Sequence, residues 1–189
     1  MSLLPPNHAK LAAFLPLLAA TAGVGLLFGS ELKTEAAPLG IVSLELAGTS
    51  KAASDILDSW QRKFGSLDPA VRSLALDSLL FIPLYSSTLA LGCLWVKDQV
   101  PGERGTALRA LTVLAWGQLG AAILDYAENA AIWMMVKGPG GPVVEPWPWI
   151  AKWCALPKFG LLLVAILCIL AGVVTAGVRG IAGRGHAEG

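Results

Sequence analysis

The chain has 189 residues, 55% of them hydrophobic and only 14% charged, with a mean hydropathy of +0.65 and a formal net charge of +1. A soluble domain carries about a quarter charged residues, so this composition belongs to the membrane class. The near-neutral balance excludes nucleic acid as a partner, because no basic patch is available for phosphate contacts. Cys93, Cys154 and Cys168 are odd in number and lack a CxxC spacing, so they read as apolar thiols rather than a disulfide framework or a metal set. His8 and His186 lie near the termini, outside every apolar run. Haem, zinc and histidine–carboxylate di-iron sites therefore lack their usual ligands, and neither metal nor cofactor is expected.

The first apolar run covers about 11–28, long enough at 1.5 Å per residue to cross most of a bilayer core. Lys10 ahead of it and Ala20-Thr21-Ala22 within it resemble a cleavable signal. The hydrophobicity continues through Val24 to Phe28, past that point, which favours a retained span over about 9–29. Residues 30–68 form a long polar loop that reads as structured. Its helix from Ser50 places Ile56, Leu57, Trp60 and Phe64 on one face, with Asp58, Arg62 and Lys63 elsewhere. Such a helix lies along the membrane surface or lids the bundle. The short apolar stretch 41–48 is interrupted by Glu45.

Asp68 as N-cap and Pro69 at the first helical position open the second span, over about 70–96, in which Pro83 predicts a kink. A polar turn over 97–104 leads to the third span at about 106–136. Glycines and prolines at 138–142 break the chain, and Pro146-Trp147-Pro148-Trp149 forms an aromatic interface anchor. The fourth span covers about 150–178, and 179–189 reads as a flexible polar tail. The expected fold is all-α: a single polytopic membrane domain, a four-transmembrane-helix bundle with an amphipathic helix in the long first loop. Lys10, Lys97, Arg104, Arg109, Arg179 and Arg184 fall on one side, against Lys137 and Lys152 on the other. The excess predicts both termini in the cytoplasm, with a bacterial inner membrane as the setting.

Charged residues inside spans are costly, so each needs a reason. On the third span Asp125, Glu128 and Asn129 are spaced i, i+3, i+4 and share one helical face with the small residues Ala121 and Gly117. The second span carries Asp77, with Tyr85 following, and the fourth carries Lys158 directly after Pro157. Counted from the same ends of these antiparallel spans, the four charges fall within one or two turns of depth. Asp77, Tyr85, Asp125, Glu128, Asn129 and Lys158 are therefore the candidate ligand-binding residues, with Glu45 and Tyr126 able to approach. Three acids against one lysine call for a proton or a cation.

The competing reading is structural. The run 159–178 is about twenty residues and spans alone, leaving Lys158 to snorkel at its edge, and 79–96 similarly leaves Asp77 near a boundary. The third span resists that reading, because 110–124 is too short without Asp125 and Glu128.

Leu44-Glu45-Leu46-Ala47-Gly48, the run Leu76 to Tyr85, and Asp125-Tyr126-Ala127-Glu128-Asn129 resemble a family of small bacterial four-span membrane proteins. That resemblance implies the architecture and no particular activity. In its four spans, long first loop and acids near the outer ends of the second and third helices, the chain is also similar to EXPERA-type proteins. These include sterol isomerases and sigma-type receptors, and the similarity implies an acidic intramembrane pocket for cationic or sterol-like ligands. The histidine that the isomerases use has no counterpart here.

The leading expectation is a membrane protein that binds a lipophilic or cationic small molecule, or a membrane lipid, at the acidic cluster. The alternatives are an isomerase-like enzyme using carboxylate acid–base chemistry, a proton- or cation-coupled carrier, and an accessory subunit of a larger membrane complex. A homo-oligomer is left open.

Overall fold

The computed structural model describes residues 6–28, 31–99, 105–137 and 142–185. The described chain is helical, in the order α1 (Pro6–Phe28), α2 (Ile41–Glu45), α3 (Ser50–Phe64), α4 (Asp68–Leu76), a π-helical turn (Asp77–Phe81), α5 (Ile82–Gln99), α6 (Gly105–Lys137) and α7 (Trp147–Gly185). Among the described residues, four helical stretches are long and apolar enough to cross a membrane: Ala9–Leu26, Asp68–Gln99, Gly105–Lys137 and Trp147–Gly177. The protein is an integral membrane protein built as a helical bundle.

The spans pack through small residues, as apolar helices in lipid require. Ala121 is fully buried, and a β-carbon added at Gly117 would already touch Leu161 of α7 at 3.4 Å. Both belong to the stripe expected on the third span. α1 lies against α5, where the hydroxyls of Thr21 and Thr88 are 2.9 Å apart and Lys10 pairs with Asp98. Phe14 of α1 stacks on Trp95 of α5, with ring centroids 6.4 Å apart.

The long first loop is a folded lid. Thr49 caps α3 by accepting from the Ala52 N–H at 3.3 Å, and Gly65 ends it in the left-handed region. The apolar face of α3 packs inward on the bundle. Ile56, Leu57 and Trp60 join Leu44 of α2 in a core with Ile132, Met135 and Val136 of α6 and Ala151 of α7. The Trp60 indole donates to the Leu32 carbonyl at 2.7 Å, and Ser50 donates to Glu145. Asp58, Arg62 and Lys63 face outward, as their spacing predicts. α2 enters this arrangement between two glycines of positive φ, Gly40 at 65° and Gly48 at 70°. At Gly48 the Lys152 side chain occupies the space a β-carbon would need, so the turn and the docking depend on the same missing atom.

Several boundaries differ from the sequence reading. Leu67, rather than Asp68, holds the cap position before α4, and Asp68 is already helical, its N–H donating to Ser66 Oγ at 3.3 Å. The second span runs on to Gln99, which takes 97–99 out of the expected turn. The segment expected as a flexible tail continues as helix α7 to Gly185, because nothing in Gly180-Ile181-Ala182-Gly183 stops a helix as proline would. The rest of the 97–104 turn, most of the 138–142 break and the end of the tail lie outside the described residues.

Pro83 acts upstream of itself. Six residues before it, the Asp77 carbonyl accepts from the Ile82 N–H, the i→i+5 bond of a π turn. The next bond of that kind would join the Ser78 carbonyl to residue 83, and proline has no N–H to give. The vacant Ser78 carbonyl instead accepts from the Tyr126 hydroxyl at 3.0 Å. The wider turn carries Asp77 and Ser78 toward α6.

Candidate functional site

The lid-side third of the bundle holds one polar cluster. Lys158 of α7 is its centre, with the side chain only 5% exposed. Its ammonium donates to Asp125 Oδ1 at 2.9 Å and Glu128 Oε1 at 3.0 Å; Glu128 Oε2 is 2.8 Å away but off the hydrogen-bonding axis. The i, i+3 spacing on α6 points both acids at the same atom. Phe159 closes the other side, its ring centroid 4.6 Å from the ammonium. Lys158 therefore does not snorkel: its partners lie inside the bundle, and the charge follows them.

A second shell of contacts ties the spans together. Tyr85 of α5 donates to Asp125 Oδ2 at 2.7 Å, so both oxygens of that carboxylate are held. Asn129, one turn from Asp125, donates to Asp77 Oδ2 at 2.6 Å and to Ser78 Oγ at 3.0 Å. All six residues singled out from the sequence come together. Tyr126 binds the π turn instead and stays outside the cluster.

Glu45 completes it from the lid. At 8% exposure it is buried, and its Oε2 has no hydrogen-bond donor directed at it; the Lys158 ammonium is 3.5 Å away. Burial pushes its carboxyl above the ordinary carboxylate range, Lys158 and Glu128 opposing the shift and the charge of Asp125 adding to it. Sequence reasoning weighed Glu45 only as a residue able to approach. Ser78 was missed: the one signal for it was Pro83, whose effect on the preceding turn no hydropathy pattern reveals.

Beside the cluster is a cavity of about 180 Å³. Its polar lining is Glu45, Ser73, Asp77, Tyr85, Asp125 and Lys158, with Asn129. Glu128 is fully buried behind Lys158 and does not reach it. Among the described residues no three carboxylate, histidine or thiol side chains are grouped to hold a metal ion. The ammonium occupies the point on which Asp125 and Glu128 converge.

No protein-family model matches the chain, and neither curated proteins nor solved structures give a match. The chemistry must be read from the site itself.

Proposed function

We infer that the protein binds a lipophilic or cationic ligand, or a lipid, in the cavity beside Lys158. One observation carries this reading: Asp125, Glu128 and Glu45 converge on a single ammonium, and Asp77, Asp125 and Glu45 line the open space beside it. Buried carboxylates in excess of their counter-charge draw in a proton or a cation. Their placement at one depth in a membrane bundle is the usual mark of a working site. The test is what the protein retains when extracted gently from its membrane, measured by native mass spectrometry. Lys158→Met/Asp125→Asn/Glu128→Gln, which strands none of the three paired charges, and Asp77→Asn are expected to abolish retention while leaving a helical, monodisperse protein. Unchanged retention in all of them sinks the reading.

A second reading, membrane-embedded acid–base catalysis of the isomerisation type, is supported by Glu45, a buried carboxyl biased toward its neutral form and 3.5 Å from the Lys158 ammonium. It requires turnover with a bell-shaped pH profile on a sterol or polyprenoid substrate, and a panel without turnover removes it. We place both termini on the cytoplasmic side of a bacterial inner membrane, from the lysine and arginine excess. Reporter fusions at either end test that orientation.

A further inference from the structure

The cavity has polar and apolar lining residues. Asp77 and Glu45 are among the polar ones. The apolar ones include Gly25 of α1, Leu39 and Ile41 of the lid, and Phe159 and Leu162 of α7. The lid is firmly docked: Leu44 and Trp60 are fully buried, and the Trp60 indole and Ser50 tie the lid to Leu32 and Glu145.

α1 is held differently. Most of Ala9–Leu26 faces outward, and α1 packs along α5 rather than along α7. The two outer helices converge at Gly92 of α5, where an added β-carbon would strike both Phe14 and Ile169. Toward the lid the cavity lies between them, with Gly25 on one side and Phe159 and Leu162 on the other. Only the edge of the Phe81 ring stands against Gly25, 3.3 Å from where its β-carbon would be.

The geometry points to a lateral seat: the ligand is an amphiphile with one compact cationic end on Asp77 and Glu45 and a narrow apolar tail leaving between α1 and α7 into the bilayer. This rests on the ligand-binding reading above and adds the charge, shape and exit of the ligand. Three physical points select it. The Lys158 hydrogen bonds go to Asp125 and Glu128, which leaves Glu45 Oε2, buried and without a donor, at the cavity. An anionic end would meet the carboxyl groups of Asp77, Glu45 and Asp125, and the one ammonium in the lining, Lys158, is already bonded to Asp125 and Glu128, so a cationic end is favoured. A volume of about 180 Å³ is close to the roughly 150 Å³ of a benzene-sized cavity, so it takes an ammonium and its first carbons and not a two-chain lipid. The remaining chain must leave past Gly25, Phe81 and Leu162, where every contact is apolar.

The experiment is equilibrium binding to the full chain in nanodiscs, with dodecylammonium, dodecanol and butylammonium as probes. Dodecylammonium is expected to bind at least about tenfold tighter than either of the others. Asp77→Asn should weaken dodecylammonium and butylammonium alike. Gly25→Leu fills the seat of the tail, so it should weaken dodecylammonium at least about tenfold and leave butylammonium unchanged. Leu162→Trp, from the opposite wall, repeats that test should Gly25→Leu not fold. Dodecanol binding as tightly as dodecylammonium overturns the cationic end, and tail variants without effect overturn the seat. Either result leaves the broader reading standing wherever wild-type protein still retains a ligand from its membrane. A folded wild type that retains nothing and binds no probe defeats both.

Discussion

Lys158 of α7 and Glu128 of α6 form an ion pair 2.8 Å long, with Glu128 wholly shielded from solvent. Two charges removed from water repay their desolvation only when geometry and further hydrogen bonds are good, and removing one partner strands the other. Lys158→Met strands Asp125 and Glu128 together. Its expected cost is about 3–5 kcal/mol, measured by denaturation in detergent. The triple variant Lys158→Met/Asp125→Asn/Glu128→Gln should recover most of that loss, since it removes the stranded charges along with the lysine. No recovery would mean that packing of the lysine stem, and not charge balance, sets the cost.

Tyr85 reports on the same cluster from the second span. Its hydroxyl donates to the Asp125 oxygen that Lys158 does not use, 2.7 Å away. Tyr85→Phe keeps the ring packed against Phe81 and deletes only the hydrogen bond. A bond to a charged acceptor contributes about 1.5–3 kcal/mol, so unfolding should move by that amount. In combination with Asp125→Asn the two effects should fall short of additive.

Pro83 sets where Asp77 points. Pro83→Ala supplies the missing N–H, which can bond the Leu79 carbonyl and close the turn to ordinary α-helix. Removing the extra residue from the turn rotates Asp77 by about 100° relative to α5. The contact with Asn129 at 2.6 Å is then lost, as is that of Tyr126 with Ser78. Ligand retention should fall, while overall stability falls little or rises, because an interior proline opposes helix. Retention at the wild-type level in this variant would show that the π turn does not position the site.

Most of the membrane architecture is legible from the sequence, because span length and charge exclusion are set by the bilayer rather than by tertiary detail. The convergence of Asp77, Asp125 and Lys158 is legible for the same reason: helix rise fixes depth, and antiparallel neighbours share it. The i, i+4 spacing of Asp125 and Asn129 settles their common face without any knowledge of the partner helices. Glu45 is different. Its position depends on Gly40 and Gly48 turning the chain and on Trp60 docking the lid, contacts between segments far apart in sequence. Pro83 announces an irregularity but not its kind, since a kink and a π turn satisfy the same missing donor.

Glu45 gives the lid a pH dependence with a definite sign. Burial raises its carboxyl above the ordinary value of 4.5, in the face of Lys158 and Glu128, with the Asp125 charge reinforcing the shift. A carboxyl raised on folding holds its proton more tightly in the folded state than in the unfolded one. The stability this confers is complete below the ordinary value and is lost as pH rises through the raised one. Glu45→Gln fixes the neutral form and keeps the shape. Wild-type protein should therefore lose melting temperature relative to Glu45→Gln as pH is raised from about 5 to about 8. The loss should be concentrated in the lid, seen as faster proteolysis between residues 31 and 67 in the wild type at the upper end of that range. A difference that stays flat, or that favours the wild type at higher pH, would mean that Glu45 remains ionised throughout and serves Lys158 as a plain counter-ion.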